Sequence, residues 1–574
     1  MRLVPSQKVC KPIHQVGLVL LVAGGCVPGY QDTPYPPCFL PDDPDPACHA
    51  GQAEEGATAE TATPTTGTPF PGDGSDSGGP ETGADEVGAS SGESSIGTTG
   101  PEVQAPPTIV GMSLTPGPGT PGSCVLYSAG PVAVAVQAED AVEVWITVDD
   151  GEAVALEPVG DDGTEFVGEI AVLGESWNGS HTVSAVAESG ELVSAPRVDV
   201  FTVEAPDAGS EAWKKKSAIT PSKGNAVAVD AQGEVYELFT EWNNPGARCH
   251  VRRRDPQGEA VWPQDAVALA PGVSCGGEDI EVAPDGTIWA LTNTVVDGVN
   301  RWQLFHLDPD GTELDEPQVG DFQEFGRGLD VNAAGDLLLC GVRPALLGQD
   351  AWVRWLPPVS DGWTVPWAYE VANFAFEERT KDCAFVEDRI VVVGEAFGRH
   401  DENEIKDFSR SFVVEFGVNG TALSEVVATA SPAWQSGYEA VAPDGSGGYT
   451  AVGYTCDAKV TPCTPTGGFI RWLSLGGATV GEQAITTALT VWDVAASPTG
   501  GVIVAAQASK MQQGLLVQAW KPGVGDPVWT YQGAPSTLQV ATGLALNLYG
   551  SIYVGGYYLD GDVLAAGVVK LHPY

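Results

Sequence analysis

The sequence predicts an all-β protein whose larger, C-terminal part is built from seven repeats of a four-stranded unit. Between residues 212 and 574, two apolar strands joined by a tight turn recur seven times. Successive copies, counted from Ala226, begin 53, 50, 54, 56, 54 and 51 residues apart. An aromatic-rich strand and then a fourth strand follow each pair. Repeats of about 50 residues with four antiparallel strands are typical of a β-propeller, so residues 206–574 are expected to form seven blades.

The seven copies share an apolar alternation followed by a tight turn, which is Pro-Asp-Gly in two of them. They start at Ala226, Asp279, Leu329, Cys383, Glu439, Asp493 and Leu544. The last copy ends after its third strand, whereas residues 212–216 form a strand with no blade of their own. We expect this N-terminal strand to pair with the last blade and close the ring, because closure removes exposed sheet edges. The repeats resemble those of bacterial extracytoplasmic propeller proteins, which implies a fold but no particular function.

Residues 107–205 predict a separate β-sandwich. Seven short segments alternate apolar and polar residues, with turn residues between them. The segments are 108–114, 132–138, 142–148, 153–158, 165–172, 181–187 and 197–203. Seven strands in about 100 residues are typical of an Ig-like sandwich, and residues 179–187 resemble the penultimate strand of bacterial Ig-like domains. We interpret this module as a rigid spacer; ligand or partner binding is the alternative.

The first 25 residues predict a signal peptide. Three basic residues precede an apolar run over 16–23, which is shorter than the roughly 20 residues of a membrane-spanning helix. The run ends in Gly24-Gly25-Cys26, which resembles a bacterial lipobox. This resemblance implies that Cys26 is acylated, becomes the new N-terminus and anchors the protein to a membrane. Ordinary cleavage, with Cys26 as an incidental thiol, is the alternative.

Residues 26–106 predict a disordered acidic stalk. Residues 27–106 contain 14 Asp or Glu, no Lys or Arg, and no hydrophobic periodicity. Such a segment cannot bury enough apolar surface to offset the entropy of ordering. An acylated cysteine, an acidic Ser/Thr/Gly stalk and β modules together resemble the surface lipoproteins of myxobacteria and their relatives. The resemblance implies an extracytoplasmic location, at the outer membrane or cell surface of a Gram-negative cell.

The formal net charge of -49 is spread over the stalk, the sandwich and the repeats. It argues against nucleic acid and against contact between the folded domains and anionic membranes, because both would be repelled. Lipid on Cys26 is therefore the only membrane contact expected. With 7 His and 3 Met in the chain and no recognisable catalytic motif, we assign no metal, no cofactor and no catalytic residue. We expect a monomer.

Eleven cysteines suggest several disulfides. The order along the chain suggests the pairs Cys38–Cys48, Cys249–Cys275, Cys340–Cys383 and Cys456–Cys463, although sequence does not determine connectivity. Cys124 is left over. The six cysteines of the repeats are predicted to lie on one rim of the propeller, in loops or at strand starts. Disulfides argue for an extracytoplasmic compartment.

One dense polar cluster, over residues 399–407, falls in the long loop of the fourth blade. Its candidate ligand-binding residues are His400, Asp401, Glu402, Glu404 and Asp407. The carboxylates suit a cation or a basic ligand; a solvated charged loop is the alternative. The favoured function is a surface-anchored binding or scaffold protein whose rim loops contact a carbohydrate or a protein.

The alternative function is an extracytoplasmic propeller enzyme, such as a glycan hydrolase or lyase. Glycoside hydrolysis needs two carboxyl groups about 5–10 Å apart. Acidic residues near the starts of the first strands are placed to face a central channel, namely Glu278, Asp279, Asp382, Glu439 and Asp493. The competing interpretation is that acids at this position satisfy backbone N–H groups. On the sequence alone we favour binding over catalysis.

Overall fold

The computed structural model describes most of the chain beyond residue 104. The described residues are 105–116, 125–126, 130–149, 151–160, 163–172, 177–204, 206–243, 246–345, 348–357, 367–371, 377–398, 408–427, 434–457, 465–508, 514–534, 538–560 and 563–573. The predicted signal peptide and stalk, with Cys26, Cys38 and Cys48, lie outside these ranges, as does Cys124. All regular elements within them are β-strands, which confirms the all-β class. The described part of the chain contains no helix that could cross a bilayer.

Ten strands, β1 to β10, form two sheets in the N-terminal described region. Their bounds are β1 Thr108–Pro116, β2 Val125–Leu126, β3 Gly130–Glu139, β4 Glu143–Val148, β5 Val154–Ala155, β6 Glu157–Val159, β7 Glu165–Val172, β8 Gly179–Ser189, β9 Leu192–Val193 and β10 Arg197–Val203. One sheet has the order β1-β3-β7-β6. The other has the order β2-β10-β8-β4-β5, with β9 paired to β8.

Both sheets contribute to one hydrophobic core because their strands alternate in burial. In β3, Val132, Val134 and Val136 are buried, while the residues between them face outward or are half-buried. They share a core cluster with Val183 and Phe201 from the other sheet. Complete burial of each such side chain stabilises the folded chain by about 1.5–3 kcal/mol.

The repeat region contains 28 strands, β11 to β38, in the described residues. Their bounds are β11 Glu211–Lys216, β12 Ser222–Val229, β13 Val235–Asn243, β14 Gly246–Arg254, β15 Val267–Leu269, β16 Cys275–Val282, β17 Ile288–Val296, β18 Val299–Leu307, β19 Gln318–Val319, β20 Phe325–Val331, β21 Leu337–Ala345, β22 Gly348–Leu356, β23 Trp367–Val371, β24 Glu377–Val386, β25 Arg389–Gly398, β26 Phe408–Gly417, β27 Ala422–Val427, β28 Trp434–Pro443, β29 Gly448–Asp457, β30 Pro465–Ser474, β31 Thr479–Ile485, β32 Ala488–Ala496, β33 Val502–Ala508, β34 Leu515–Trp520, β35 Trp529–Gln532, β36 Val540–Leu546, β37 Ile552–Asp560 and β38 Val563–Leu571.

These strands form seven antiparallel four-stranded sheets. Six sheets take four consecutive strands in order, from β12-β13-β14-β15 to β32-β33-β34-β35. The seventh has the order β11-β38-β37-β36, so β11 pairs antiparallel with β38, with Lys214 opposite Val569. This is the pairing expected from the unattached strand at the start of the repeats.

Adjacent sheets pack face to face through apolar side chains. One core cluster joins Tyr236 and Leu238 of β13 to Ile280 of β16, in the next sheet. The first strands β12, β16, β20, β24, β28, β32 and β36 contact one another in that order, and β36 also contacts β12. Between the last and first sheets, the Thr542 hydroxyl donates to the Gly224 carbonyl at 2.9 Å. The first strands therefore come together around a common centre.

Candidate functional site

Each of the seven first strands has a β-bulge at the same place in its pairing with the second strand. In the pairing of β16 with β17, Gly277 faces Thr292 and Asp279 faces Leu291, so Glu278 is the extra residue. The corresponding residues, here called the bulge residues, are Asn225, Glu278, Arg327, Lys381, Glu439, Trp492 and Thr542. A bulge redirects a side chain and is common beside active sites. The repeat thus presents one redirected side chain from each sheet.

The bulge residues meet at a central cavity of about 430 Å³ lined by the first strands of all seven sheets. Every bulge residue except Asn225 lines it. Asn225 instead accepts a hydrogen bond from the Thr240 hydroxyl at 2.8 Å. The volume lies in the range of small-ligand sites, roughly 300–1,000 Å³. The cavity is therefore the best-formed candidate site in the described residues.

The cavity is lined by two acidic and two basic bulge residues, which form two ion pairs. The Glu278 carboxylate lies 3.6 Å from the Arg327 guanidinium and accepts a hydrogen bond from Asn293 at 2.7 Å. The Lys381 ammonium lies 3.7 Å from Glu439. All four charged side chains are only 10–17% exposed. Ion pairs in such partly buried positions are screened less by solvent than surface pairs.

Lys381 is also held by Glu395, a buried carboxylate of β25. Its ammonium lies 3.6 Å from Glu395, which accepts hydrogen bonds from Ser409 at 3.0 Å and from the Tyr454 hydroxyl at 2.6 Å. Burial and the Glu395 charge raise the pKa of Tyr454, which keeps the phenol protonated as a donor. This network fixes the position of Lys381 at the cavity wall.

Lys223, two residues before the bulge residue of β12, is a further cation near Glu278 and Arg327 but does not line the cavity. Burial lowers the pKa of its ammonium; Glu278 opposes this effect and Arg327 adds to it. Its backbone pairs with Thr240 of β13, and Glu278 and Arg327 are the charged neighbours of its ammonium. A cation enclosed in this way is unfavourable unless an anion accompanies it.

Four aspartates of the first strands, here called the bridging aspartates, connect neighbouring sheets. Each accepts one backbone N–H from the next residue of its own strand and one from the following sheet's first strand. The bonds are Asp279 from Ile280 (2.9 Å) and Leu329 (2.9 Å), Asp330 from Val331 (2.8 Å) and Phe385 (2.6 Å), Asp382 from Cys383 (2.7 Å) and Val441 (2.9 Å), and Asp493 from Val494 (2.7 Å) and Leu544 (2.6 Å). Acids at this position therefore satisfy backbone N–H groups, as the competing interpretation of the sequence holds.

The bridging aspartates and Glu281 crowd carboxyl groups into the cavity wall. Burial, with neighbouring carboxylates adding to it at some sites, raises the pKa of Asp279 and Asp493 to about 7 and that of Asp330 to about 6. The pKa values of Asp382 and Glu281 are also raised, chiefly by burial. These carboxyl groups therefore stay protonated at pH values where exposed carboxyl groups are ionised. No group of three or more potential ligand side chains within the described ranges is arranged to hold a metal.

Two disulfides link neighbouring sheets, Cys249–Cys275 and Cys340–Cys383, the pairs that the order of the cysteines suggested. The prediction that these cysteines lie in loops or at strand starts holds for Cys275, the first residue of β16, and is wrong for the other three. Cys249, Cys340 and Cys383 lie inside strands β14, β21 and β24, and all four cysteines are buried within apolar clusters between sheets. Their apolar sulfur atoms pack in the core between the sheets. The strands are longer than predicted, so positions expected in loops lie within strands.

The remaining predicted site residues fall largely beyond the described ranges. Cys456, on β29, is disulfide-bonded, but Cys463 lies outside them. The predicted ligand-binding loop, residues 399–407, also lies outside, with His400, Asp401, Glu402, Glu404 and Asp407.

The sequence candidates Glu278 and Glu439 do line the cavity, but reading the sequence missed the cations and Trp492. The sequence does contain one signal for the bulges. A glycine directly precedes the bulge residue in three first strands, at Gly224, Gly277 and Gly326.

No protein-family model matches this chain, and no curated protein does. Among solved structures, the polysaccharide lyase Uly1 aligns over 64% of this chain and 92% of its own, with 11% identity and a TM-score of 0.39. An α-L-arabinanase of Penicillium chrysogenum with bound arabinobiose aligns over 52% and 94%, with 13% identity and a TM-score of 0.35. A Dyadobacter fermentans protein of unknown function aligns over 63% and 99%, with 10% identity and a TM-score of 0.37. Similarity this weak does not establish what this chain binds or does.

Proposed function

We propose that the seven sheets close into a seven-bladed β-propeller and that the protein cleaves a glycan at the central cavity, as a hydrolase or a lyase. One observation carries the proposal: Glu278, Arg327, Lys381, Glu439 and Trp492 are bulge residues that face a single cavity. Carboxylates supply acid–base or nucleophilic groups for glycan cleavage, and an indole offers an apolar face to a sugar ring. Closure is supported by the contact of β36 with β12 and by the β11–β38 pairing.

The carboxyl groups of the cavity differ in environment, as acid–base chemistry requires. Arg327 beside Glu278 and Lys381 beside Glu439 favour ionised carboxylates, the state needed by a base or nucleophile. Glu281 lines the same cavity, and its raised pKa suits a proton donor. We assign Glu278 or Glu439 as base or nucleophile and Glu281 as general acid.

The test is a polysaccharide panel with assays for new reducing ends and for the unsaturated products of elimination. Glu278→Gln, Glu439→Gln and Glu281→Gln should each lower the rate by about 10²-fold or more, whereas the exposed Glu316→Gln should not. Cleavage that survives all three cavity substitutions would refute this assignment of the site.

A second candidate is glycan binding at the cavity without cleavage. It differs from the function favoured from sequence, in which rim loops contact a carbohydrate or a protein. It is supported by the pairing of both Glu278 and Glu439 with cations and by the structural use of the bridging aspartates. A polysaccharide of the panel that binds at the cavity and is not cleaved would support binding without cleavage.

The disulfides indicate an extracytoplasmic protein. For its attachment we propose acylation of Cys26, with the stalk and the N-terminal sheets as a spacer and the lipid as the membrane contact. Labelled palmitate should be incorporated into the protein and not into Cys26→Ser. Equal labelling of the two would exclude Cys26 as the lipid site.

A further inference from the structure

We propose that the cavity acts on the end of a glycan chain and encloses one or two terminal sugar units, so that bonds inside the chain are not cleaved. This rests on the proposed function of the cavity and specifies the part of the glycan that the cavity accepts. The observation that carries it is the position of the cavity at the centre of all seven first strands.

The wall of the cavity leaves no sideways passage for a chain between the described first strands. Each of these strands contacts the next, from β12 around to β36 and back to β12, and all seven line the cavity. With the closure proposed above, they form a continuous wall. A polymer therefore cannot lie across the cavity as it lies in an open groove, and only a free chain end can enter along the axis of the ring.

The lining of the cavity has two layers along the direction of the strands. The bulge layer contains the bulge residues, among them the charged pairs and Trp492. A second layer, here called the alanine layer, lies three residues further along each first strand, which is about 10 Å. It consists of Glu281, Asp330 and five alanines, Ala228, Ala384, Ala442, Ala495 and Ala545.

The alanine layer keeps the centre of the ring open, because a methyl group is the smallest side chain after that of glycine. Alanine also lets seven strands converge, but convergence does not require a void. Protein interiors are otherwise packed without spaces of this size, whereas the cavity here has a volume of about 430 Å³. The open space therefore fits a ligand that enters it.

The volume limits how much of a glycan the cavity can hold. At about 30 Å³ of liquid per water molecule, about 430 Å³ corresponds to roughly 14 water-sized groups. This is comparable with the non-hydrogen atoms of one or two sugar units. The assigned acid, Glu281, belongs to the alanine layer, and the candidate bases Glu278 and Glu439 belong to the bulge layer. An enclosed terminal unit is therefore flanked by both kinds of group, which internal units outside the cavity are not.

The first experiment follows the products that the full-length protein releases from linear xylan, mannan, galactan and polygalacturonan. Monosaccharides or disaccharides should appear from the first time points. The molar mass of the remaining polymer, measured by size-exclusion chromatography, should stay nearly constant meanwhile. Products of mixed length, with an early fall in polymer mass, would show internal cleavage and overturn the proposal.

Blocked chain ends test the enclosure without relying on cleavage. Hexasaccharides of the same four glycans are compared by calorimetry with versions that carry a bulky group on both terminal sugars. We expect the blocked versions to bind at least tenfold more weakly, because the wall of the cavity excludes the added group. Equal affinity of free and blocked hexasaccharides would overturn the proposal.

Two substitutions narrow the alanine layer from different sheets. Ala495→Leu and Ala545→Leu should each weaken binding of the free hexasaccharides at least tenfold, because the larger side chains occupy the space of the terminal unit. Ala484→Leu, at an exposed position of β31, is the matched control. Thermal unfolding shows whether each variant is folded, and Ala495→Val is a smaller replacement for one that is not. Unchanged affinity in the folded variants would place the chain end elsewhere and overturn the proposal.

The two proposals fail separately. Cleavage of internal bonds that depends on Glu278 would leave the enzyme proposal standing and refute the preference for chain ends. Free hexasaccharides that bind more weakly to Ala495→Leu, but are never cleaved, would do the reverse.

Discussion

Asp493 of β32 accepts a hydrogen bond at 2.6 Å from the backbone N–H of Leu544, which lies on the first strand of the next sheet. Its other oxygen accepts from Val494 at 2.7 Å. The side chain thereby joins two sheets at the cavity wall, beside the apolar cluster that also connects them. Hydrogen bonds to a charged group contribute about 1.5–3 kcal/mol each.

Replacing Asp493 by Ala should destabilise the protein by about 2–4 kcal/mol, because two N–H groups lose their acceptor. The measurement is the free energy of unfolding from denaturant titration. Asp526→Ala, at an exposed position, is the control and should change it by less than about 0.5 kcal/mol. Equal effects of the two substitutions would show that the bridge contributes nothing.

The bridging aspartates should make stability depend on pH in a particular direction. The pKa of Asp493 is about 7 in the folded protein, against 3.8 for an unperturbed carboxyl. The folded state therefore binds more protons than the unfolded state between these values, and the free energy of unfolding falls as pH rises from about 4 to about 7. In Asp493→Asn, which does not titrate, this decline should be smaller. A decline as steep as that of the wild type would rule out Asp493 as its source.

A substitution at Gly453 tests whether strands β28 and β29 must approach closely beside the bulge at Glu439. Gly453 faces Tyr438, the residue before the bulge residue Glu439, and an added Cβ would lie 2.0 Å from the Gly437 carbonyl oxygen. Gly453→Ala should therefore destabilise the protein by about 3 kcal/mol and reduce activity by displacing Glu439. Gly467→Ala meets only an ordinary contact at 3.6 Å with Thr455 and serves as control. Thermal unfolding that is the same for both variants would contradict the expected clash.

The first sheet contains a buried charge network around Arg252. Single and double substitutions in it should change the free energy of unfolding by different amounts. The fully buried Arg252 guanidinium bonds Glu237 at 3.0 Å, Asp265 at 2.9 Å and Ser217 at 2.9 Å. Arg252→Met leaves the buried Glu237 with only Arg254, whose guanidinium lies 3.8 Å away, and should cost about 3–5 kcal/mol. Adding Glu237→Leu should recover part of that loss in denaturant titration. A double variant less stable than the single one would show that Glu237 is satisfied without Arg252.

The sheets of the repeat region could be predicted from sequence because their evidence is periodic. Six spacings near 50 residues and the unattached strand before Ala226 predicted the sheets and the β11–β38 pairing. The bulges were not predicted, because a glycine precedes the bulge residue in only three of the seven first strands and the extra residue is defined only by the pairing with another strand. Strand length caused the error at Cys340, which lies within β21 and not in a loop.

The β11–β38 pairing has a consequence for the order in which the protein can be completed. The strand at the start of the repeats has its partner at the other end of them, so the seventh sheet cannot form until the last strand has been synthesised. Bringing such distant segments together carries a loop-closure entropy that local hairpins avoid. Six sheets can therefore assemble before β38 is available, while the seventh needs both ends of the repeat region.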